Sequence, residues 1–274
     1  MSGGRFERKV VFVAGSTGMA ASAARALAAE GAAVAVASRS EEHVRSLAAA
    51  IETAGGRASS HAADLSVEGD VERAFAEAID RHERIDALLH VAGISGRRHG
   101  DGPAHDASLE GWEVVMRANA TSTFLTTRAT LRQLLRHEPD ATGQRGAILL
   151  MSSALAEHPS PVHFATHAYA ASKGAIEAFT RAVAATYARN GIRVNAIAPS
   201  LVATPMSERA QNDPTILAYL REKQPLAGGP IDVDAITSVA LHLLSADARM
   251  VTGQVVEVDA GWSVSEPGAT PPPE

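Results

Sequence analysis

Seven short apolar runs, spaced by longer helical stretches, set the fold of this 274-residue chain. They are VVFVA (10–14), AAVAVAS (32–38), RASSHAAD (57–64), IDALLHVAG (85–93), GAILLMSS (146–153), IRVNAIAP (192–199) and QVVEVDAG (254–261). Most lack the polar alternation of a half-exposed strand, so they predict strands covered on both faces, as in a parallel sheet under helices. The stretches between them, such as ASAARALAAEG and VERAFAEAIDRHE, carry helical spacing. Repeated βαβ order predicts an α/β fold: one doubly wound parallel seven-stranded sheet with helices on both faces, a Rossmann fold.

No internal boundary breaks this pattern, so residues 1–264 are expected to form a single domain. The Pro-rich tail 265–274 is expected to be disordered. Loops 94–108, 154–168 and 200–231 are long for connectors, and such loops beyond a strand's carboxyl end often carry function. The third contains ILAYL (216–220) and is expected to form a helical substrate lid over about 200–231. A formal net charge of -6 with no basic block argues against a nucleic-acid surface. No apolar run approaches the roughly 20 residues of a membrane span, and the polar start MSGGRFERK lacks a signal peptide's apolar core. The absence of cysteine fits a reducing cytoplasm.

Chemistry concentrates at the predicted carboxyl edge. In VFVAGSTGMAAS (11–22) a strand runs through Gly15, Ser16, Thr17, Gly18 and Met19 into a helix. Glycines there let a ligand approach the backbone, and a helix N-terminus offers free N–H groups to a pyrophosphate. Taken alone, the G-x-x-G-x-x-A spacing suits an ordinary βα turn as well as a dinucleotide site. An acid after the second strand would favour NAD by bonding the ribose 2′-hydroxyl. Ser38 and Arg39 occupy that region instead, and a guanidinium can pair with a 2′-phosphate. NADP(H) is therefore expected in preference to NAD(H).

Tyr169 and Lys173 are four residues apart, on one face of a predicted helix that overhangs the sheet edge. A nearby ammonium is expected to lower the phenol's pKa and fit it for general acid–base work. Ser152 and Ser153 end the preceding strand, where a hydroxyl can bond a substrate oxygen. Asn119 stands inside a helix predicted over about 109–136, where asparagine is a mediocre helix former. Its buried amide is expected to bend the helix or hold a water. Asp64, followed by Leu65, ends the third strand and is placed to accept from an adenine amine.

Together these features resemble the single-domain short-chain dehydrogenase/reductase family over about residues 8–262. The Y-x-x-x-K motif is Tyr169–Lys173, with the continuation YAASKGAIEAFT. The resemblance implies a catalytic set of Asn119, Ser153, Tyr169 and Lys173, with Ser152 as the fallback serine. Ser153 lies 16 residues before Tyr169, a longer interval than the family's, which implies an insertion in loop 154–168. RVNAIAPS and VATPM imply cofactor contacts from Pro199, Val202 and Thr204. The family's N-N-A-G is here His90-Val91-Ala92-Gly93, which implies cofactor-loop roles for His90, Ala92 and Gly93. Tyr169 and Lys173 would also touch the cofactor.

The implied reaction moves a hydride between NADP(H) and a small carbonyl or secondary-alcohol substrate, with Tyr169 passing the proton. Asn119 would help a water connect Lys173 to solvent. The altered glycine turn and the H-V-A-G variant leave a second reading, a cofactor-binding protein without useful turnover. A homotetramer or homodimer is implied, paired through helices 109–136 and 170–189. His158, His163 and His167 crowd the inserted loop. Their spacing does not match a zinc motif, so no metal is expected, and a place in the substrate-pocket wall is the other reading.

Overall fold

A computed structural model describes residues 4–268. Its seven strands are β1 (Val10–Ala14), β2 (Ala33–Ser38), β3 (Arg57–Ala62), β4 (Ala87–His90), β5 (Gly146–Met151), β6 (Ile192–Pro199) and β7 (Val255–Val258). They form one sheet in the order β3-β2-β1-β4-β5-β6-β7. Every pairing is parallel. Several runs therefore contribute fewer strand residues than their apolar stretch suggests; β3 stops at Ala62 and leaves Asp64 in the loop.

Alternate side chains feed two cores, as a covered parallel sheet requires. Val11, Val13, Val34, Val36 and Leu89 pack beneath α1 (Gly18–Ala29), α2 (Glu41–Thr53) and α9 (Val233–Leu244). Phe12, Leu88, Ile148, Leu150 and Val194 pack under α3 (Glu68–His82), α5 (Ser122–Leu134) and α6 (His167–Tyr187). Phe12 stacks on Phe75 of α3 with ring centroids 4.1 Å apart.

β1 pairs with both β2 and β4, so the chain crosses from one half of the sheet to the other between β3 and β4. A crevice opens beyond the carboxyl ends at such a switch point. The predicted long helix is interrupted: α4 (Leu109–Met116) gives way to a π-turn at Arg117–Thr121, with Asn119 at its centre, before α5 begins. The expected lid folds as a short 3₁₀ turn (Pro205–Ser207), α7 (Glu208–Gln211) and α8 (Pro214–Lys223). Its apolar side, Ile216 and Leu220, packs with Ala210, Ala154 and Trp262 in a third small cluster. Of the tail expected to be disordered, the Ser265 carbonyl accepts from Lys223 Nζ, and the Gly268 N–H donates to Glu222. Residues 269–274 lie outside those described. No helix among the described residues is long and apolar enough to cross a membrane.

Candidate active site

A cleft opens over the carboxyl ends of β1, β4, β5 and β6. Met19, Gly93, Ser153, Tyr169, Lys173, Pro199, Val202 and Thr204 all line it. Residues separated by 185 positions in the chain thus meet because every strand points its carboxyl end the same way.

The floor is built around α6. Its N-terminal turn has no cap from Thr166's own side chain. Asp101, in the loop after β4, supplies the acceptors instead: its two carboxylate oxygens take the Ala168 and Tyr169 N–H groups, each at 2.9 Å. This buried carboxylate satisfies two otherwise unpaired helix donors and sits at the positive end of the helix dipole. It fixes the backbone of Tyr169 itself.

Burial pushes the Tyr169 phenol above its ordinary value, and the neighbouring Ser153 hydroxyl opposes that rise. This corrects the expectation of a lysine-lowered phenol. Lys173 Nζ lies 5.6 Å from the ring centroid and donates to the Met151 carbonyl at 2.8 Å. Burial lowers Lys173 to about 8, because the ammonium loses its hydration. The i,i+4 spacing places both groups on one side of the helix, but the ammonium is directed at β5.

The two serines part company. Ser152 also lines the cleft, but its Oγ is engaged inward, sharing its proton between Glu177 at 2.7 Å and the Lys173 carbonyl at 3.2 Å. Ser153 Oγ accepts the Leu155 N–H at 3.2 Å and stands beside Tyr169.

Asn119 disturbs its helix as expected, through the π-turn, and its side chain bonds the protein directly. Its Oδ1 accepts the Ile94 N–H at 2.8 Å, and its Nδ2 donates to the Ile94 carbonyl and to Ser172 Oγ. Both amide protons are used. The π-turn turns this amide toward the loop after β4, strapping that loop to α6. Gly93 is required here: a Cβ on it would lie 2.8 Å from Asn119 Oδ1.

The first turn fits a nicotinamide dinucleotide. Gly15 takes φ 126° and Gly18 φ 52°, and Thr17, at the N-cap of α1, makes no side-chain capping bond. The first amides of α1 are therefore available to a pyrophosphate. Ser16 Oγ and Ser38 Oγ are 2.8 Å apart and tie this turn to the end of β2, where Arg39 is exposed. Asp64 Oδ1 is occupied by the N–H and hydroxyl of Ser66, and the Leu65 side chain is buried in the core. Ala92 donates its N–H to the Ala14 carbonyl.

His90 departs from its expected place. It shares a strand face with Leu88, so its ring points toward α5, bonding Thr126 Oγ1 at 2.8 Å and approaching Ser122 Oγ at 3.3 Å. It does not line the cleft. Desolvation, and then the Lys173 charge, push it down to about 3. The folded state thus holds it neutral, and the stability this gives is complete above the unfolded value near 6.5. It is lost as pH falls from there toward 3. At pH 5 His90 alone is expected to cost about 2 kcal/mol. Denaturant unfolding at pH 7.5 and pH 5 checks this; a His90→Asn variant should show a shallower acid loss, and an equal one rejects the account.

None of His158, His163 and His167 lines the cleft, which corrects the pocket-wall reading. His163 tilts against Tyr219 at 4.9 Å, and His167 Nδ1 accepts the Ala104 N–H. His158 pairs with Glu257 at 2.7 Å on the surface, beside Glu157.

Several lining residues escaped sequence reasoning, among them Arg97, Phe164, Arg209 and Trp262. They come from irregular loops and a four-residue helix, where no periodicity marks a side chain's direction.

Known proteins share this architecture along nearly its whole length. A family profile described as "Enoyl-(Acyl carrier protein) reductase" matches residues 13–263. Momilactone A synthase of Oryza sativa subsp. japonica is 35% identical, over 93% of this chain and 89% of its own. Cyclopentanol dehydrogenase of Comamonas sp. is 33% identical, over 96% and 100% respectively. A solved 3-ketoacyl-(acyl-carrier-protein) reductase from Brucella melitensis, complexed with NADH, superposes with a TM-score of 0.83 at 29% identity, covering 94% of this chain and all of that one. The chain belongs to the short-chain dehydrogenase/reductase family, the NAD(P)-binding oxidoreductases that act on CH–OH groups.

Proposed function

We propose that this protein transfers a hydride between NADP(H) and a carbonyl or secondary-alcohol substrate, with Tyr169 as general acid and base. The observation that carries the reading is the shared wall of Ser153 and Tyr169, in a cleft continuous with Met19, Gly93 and Thr204. The cofactor, when bound, supplies the hydride. Ser153 and Tyr169 hold the substrate oxygen between them, and Tyr169 gives up its proton as the alcohol forms. In the reverse direction Tyr169 receives it. Lys173, buried beneath with a lowered pKa, is placed to hold a ribose hydroxyl and restore the phenol's proton. Asn119 keeps the loop after β4 and the start of α6 in register.

A cyclic secondary alcohol, or its ketone, is the substrate class we favour. The apolar part of the cleft, with Leu155, Phe164, Met206 and Trp262, suits a ring, and the Comamonas relative is named for cyclopentanol. The cofactor preference rests on Ser38 and Arg39 standing where an acid would select NAD(H). The same reading includes a homotetramer, or homodimer, in the cytoplasm. The exposed Trp112 on α4 and Phe124 on α5, the latter edge-on to Phe179 of α6, support pairing through those helices.

Fluorescence titration with NADPH and NADH tests the cofactor first. Arg39→Ala is expected to weaken NADPH about tenfold, the worth of one charge-assisted contact at an exposed site, and to affect NADH less. Equal losses for both would remove Arg39 from phosphate recognition. Nicotinamide-dependent turnover of cyclic ketones tests the reaction; tight cofactor binding without turnover of any of them would favour the binding-protein reading.

A further inference from the structure

We propose that the substrate carries an oxyanion, a carboxylate or a phosphate, held at the mouth of the cleft by Arg97 and Arg209. This rests on the catalytic reading above and narrows its substrate class.

The charge of the cleft is the first observation. Three ionic side chains line it, Arg97, Lys173 and Arg209; none of the lining residues is Asp or Glu. This occurs in a chain of formal charge -6, so the positive lining opposes the average of the molecule. Lys173 lies buried at the floor, where it donates to the Met151 carbonyl and serves the cofactor and Tyr169 in the reading above. That leaves two guanidiniums at the mouth.

Their surroundings supply the second observation. Arg97 comes from the loop after β4 and Arg209 from α7, so two separate elements bring like charges to one opening. Desolvation first, and then the Arg209 charge, make protonated Arg97 less favourable. Like charges set close together destabilise a fold unless something relieves them. The partners in reach do so only in part. Arg97 Nη2 donates to the neutral His163 carbonyl at 2.6 Å. The Asp101 charge offsets part of this on Arg97, but the two make no ion pair, and both Asp101 oxygens already accept α6 amides. Arg209 stands 4.0 Å from Asp213 and is half exposed. A bidentate oxyanion would satisfy both forks together. Its apolar body would then lie along Phe164 and Trp262, with the reacting carbon toward Tyr169.

The test compares three cyclic ketones of similar shape: 4-methylcyclohexanone, 4-oxocyclohexanecarboxylate and 4-oxocyclohexyl phosphate. With saturating cofactor, the kcat/KM of at least one anion should exceed that of the neutral ketone by about tenfold or more, mainly through KM. The advantage should shrink with added salt. The better anion names the source, carboxylate or phosphate. Arg97→Gln and Arg209→Gln should each bring the anion-to-neutral ratio toward one. A neutral ketone reduced as well as both anions overturns the proposal. So does a loss in the variants that appears in cofactor affinity instead of in this ratio, because the arginines would then serve the cofactor. If none of the ketones is reduced, the catalytic reading fails by itself. The arginines are then judged by binding of cyclohexanecarboxylate against cyclohexanecarboxamide, read from Trp262 fluorescence in a Trp112→Phe background. Tighter acid supports the proposal, and equal affinity overturns it.

Discussion

Tyr169→Phe is expected to lower kcat for ketone reduction about a thousandfold while leaving cofactor affinity within about twofold. The substitution removes one oxygen and no packing atom. The backbone of residue 169 stays tied to Asp101, so the helix start should not move. What disappears is the donor beside Ser153 that supplies the proton as negative charge develops on the substrate oxygen. The direction of the phenol's shift adds a second readout. Burial keeps Tyr169 protonated at neutral pH, which suits reduction. Alcohol oxidation needs the phenolate, so its rate should climb through the alkaline range. In the phenylalanine variant that climb should vanish. Single-turnover nicotinamide absorbance, measured across pH in both directions, decides the matter. A variant retaining a tenth of wild-type turnover would show that another group moves the proton.

Asp101→Ala is expected to cost roughly 10- to 100-fold in kcat with a much smaller change in KM, since positioning losses fall on the reacting geometry. The same change should lower unfolding stability by about 1–2 kcal/mol, through loss of a buried helix cap. Asp101 acts through Tyr169: it holds the phenol's own backbone N–H and that of Ala168. Asp101→Asn keeps one acceptor oxygen and should recover part of the loss in kcat. The split between the two constants separates positioning from a merely structural role. A variant with reduced stability but wild-type kcat at low temperature would assign Asp101 to folding alone.

The strands and the Tyr–Lys pair were legible because each follows a period. Apolar runs covered on both faces announce a parallel sheet, and a four-residue interval puts two side chains on one helical face. The destination of a proton is not periodic. Lys173 meets Met151 through tertiary packing, so the spacing predicted the company of Tyr169 but not the sign of its shift. Strand parity would have placed His90 correctly: it shares the face of core residue Leu88, two positions earlier, and so turns away from the cleft. Asp101, Arg97 and Arg209 were invisible for a different reason. Their roles depend on contacts made from loops and a single helical turn, with nothing local to mark them. Asn119 lay between these cases. A poor helix former in mid-helix signalled a disturbance, but the kind of disturbance appears only where Ile94 and Ser172 meet it.

The π-turn at Arg117–Thr121 also divides the labour of its helix. One surplus residue shifts helical phase by about 100°, so α4 and α5 present unrelated faces to the molecule. α4 buries Gly111 and Val115 near the loop that carries Arg97 and Asp101, whereas α5 lays Leu125, Leu131 and Leu134 on the sheet. Deleting one residue here would restore a regular helix and yet force one of these two surfaces out of alignment. The irregular turn works as a gearing joint: it lets the segment beside the Arg97 loop face that loop while the segment beyond it keeps its grip on the core.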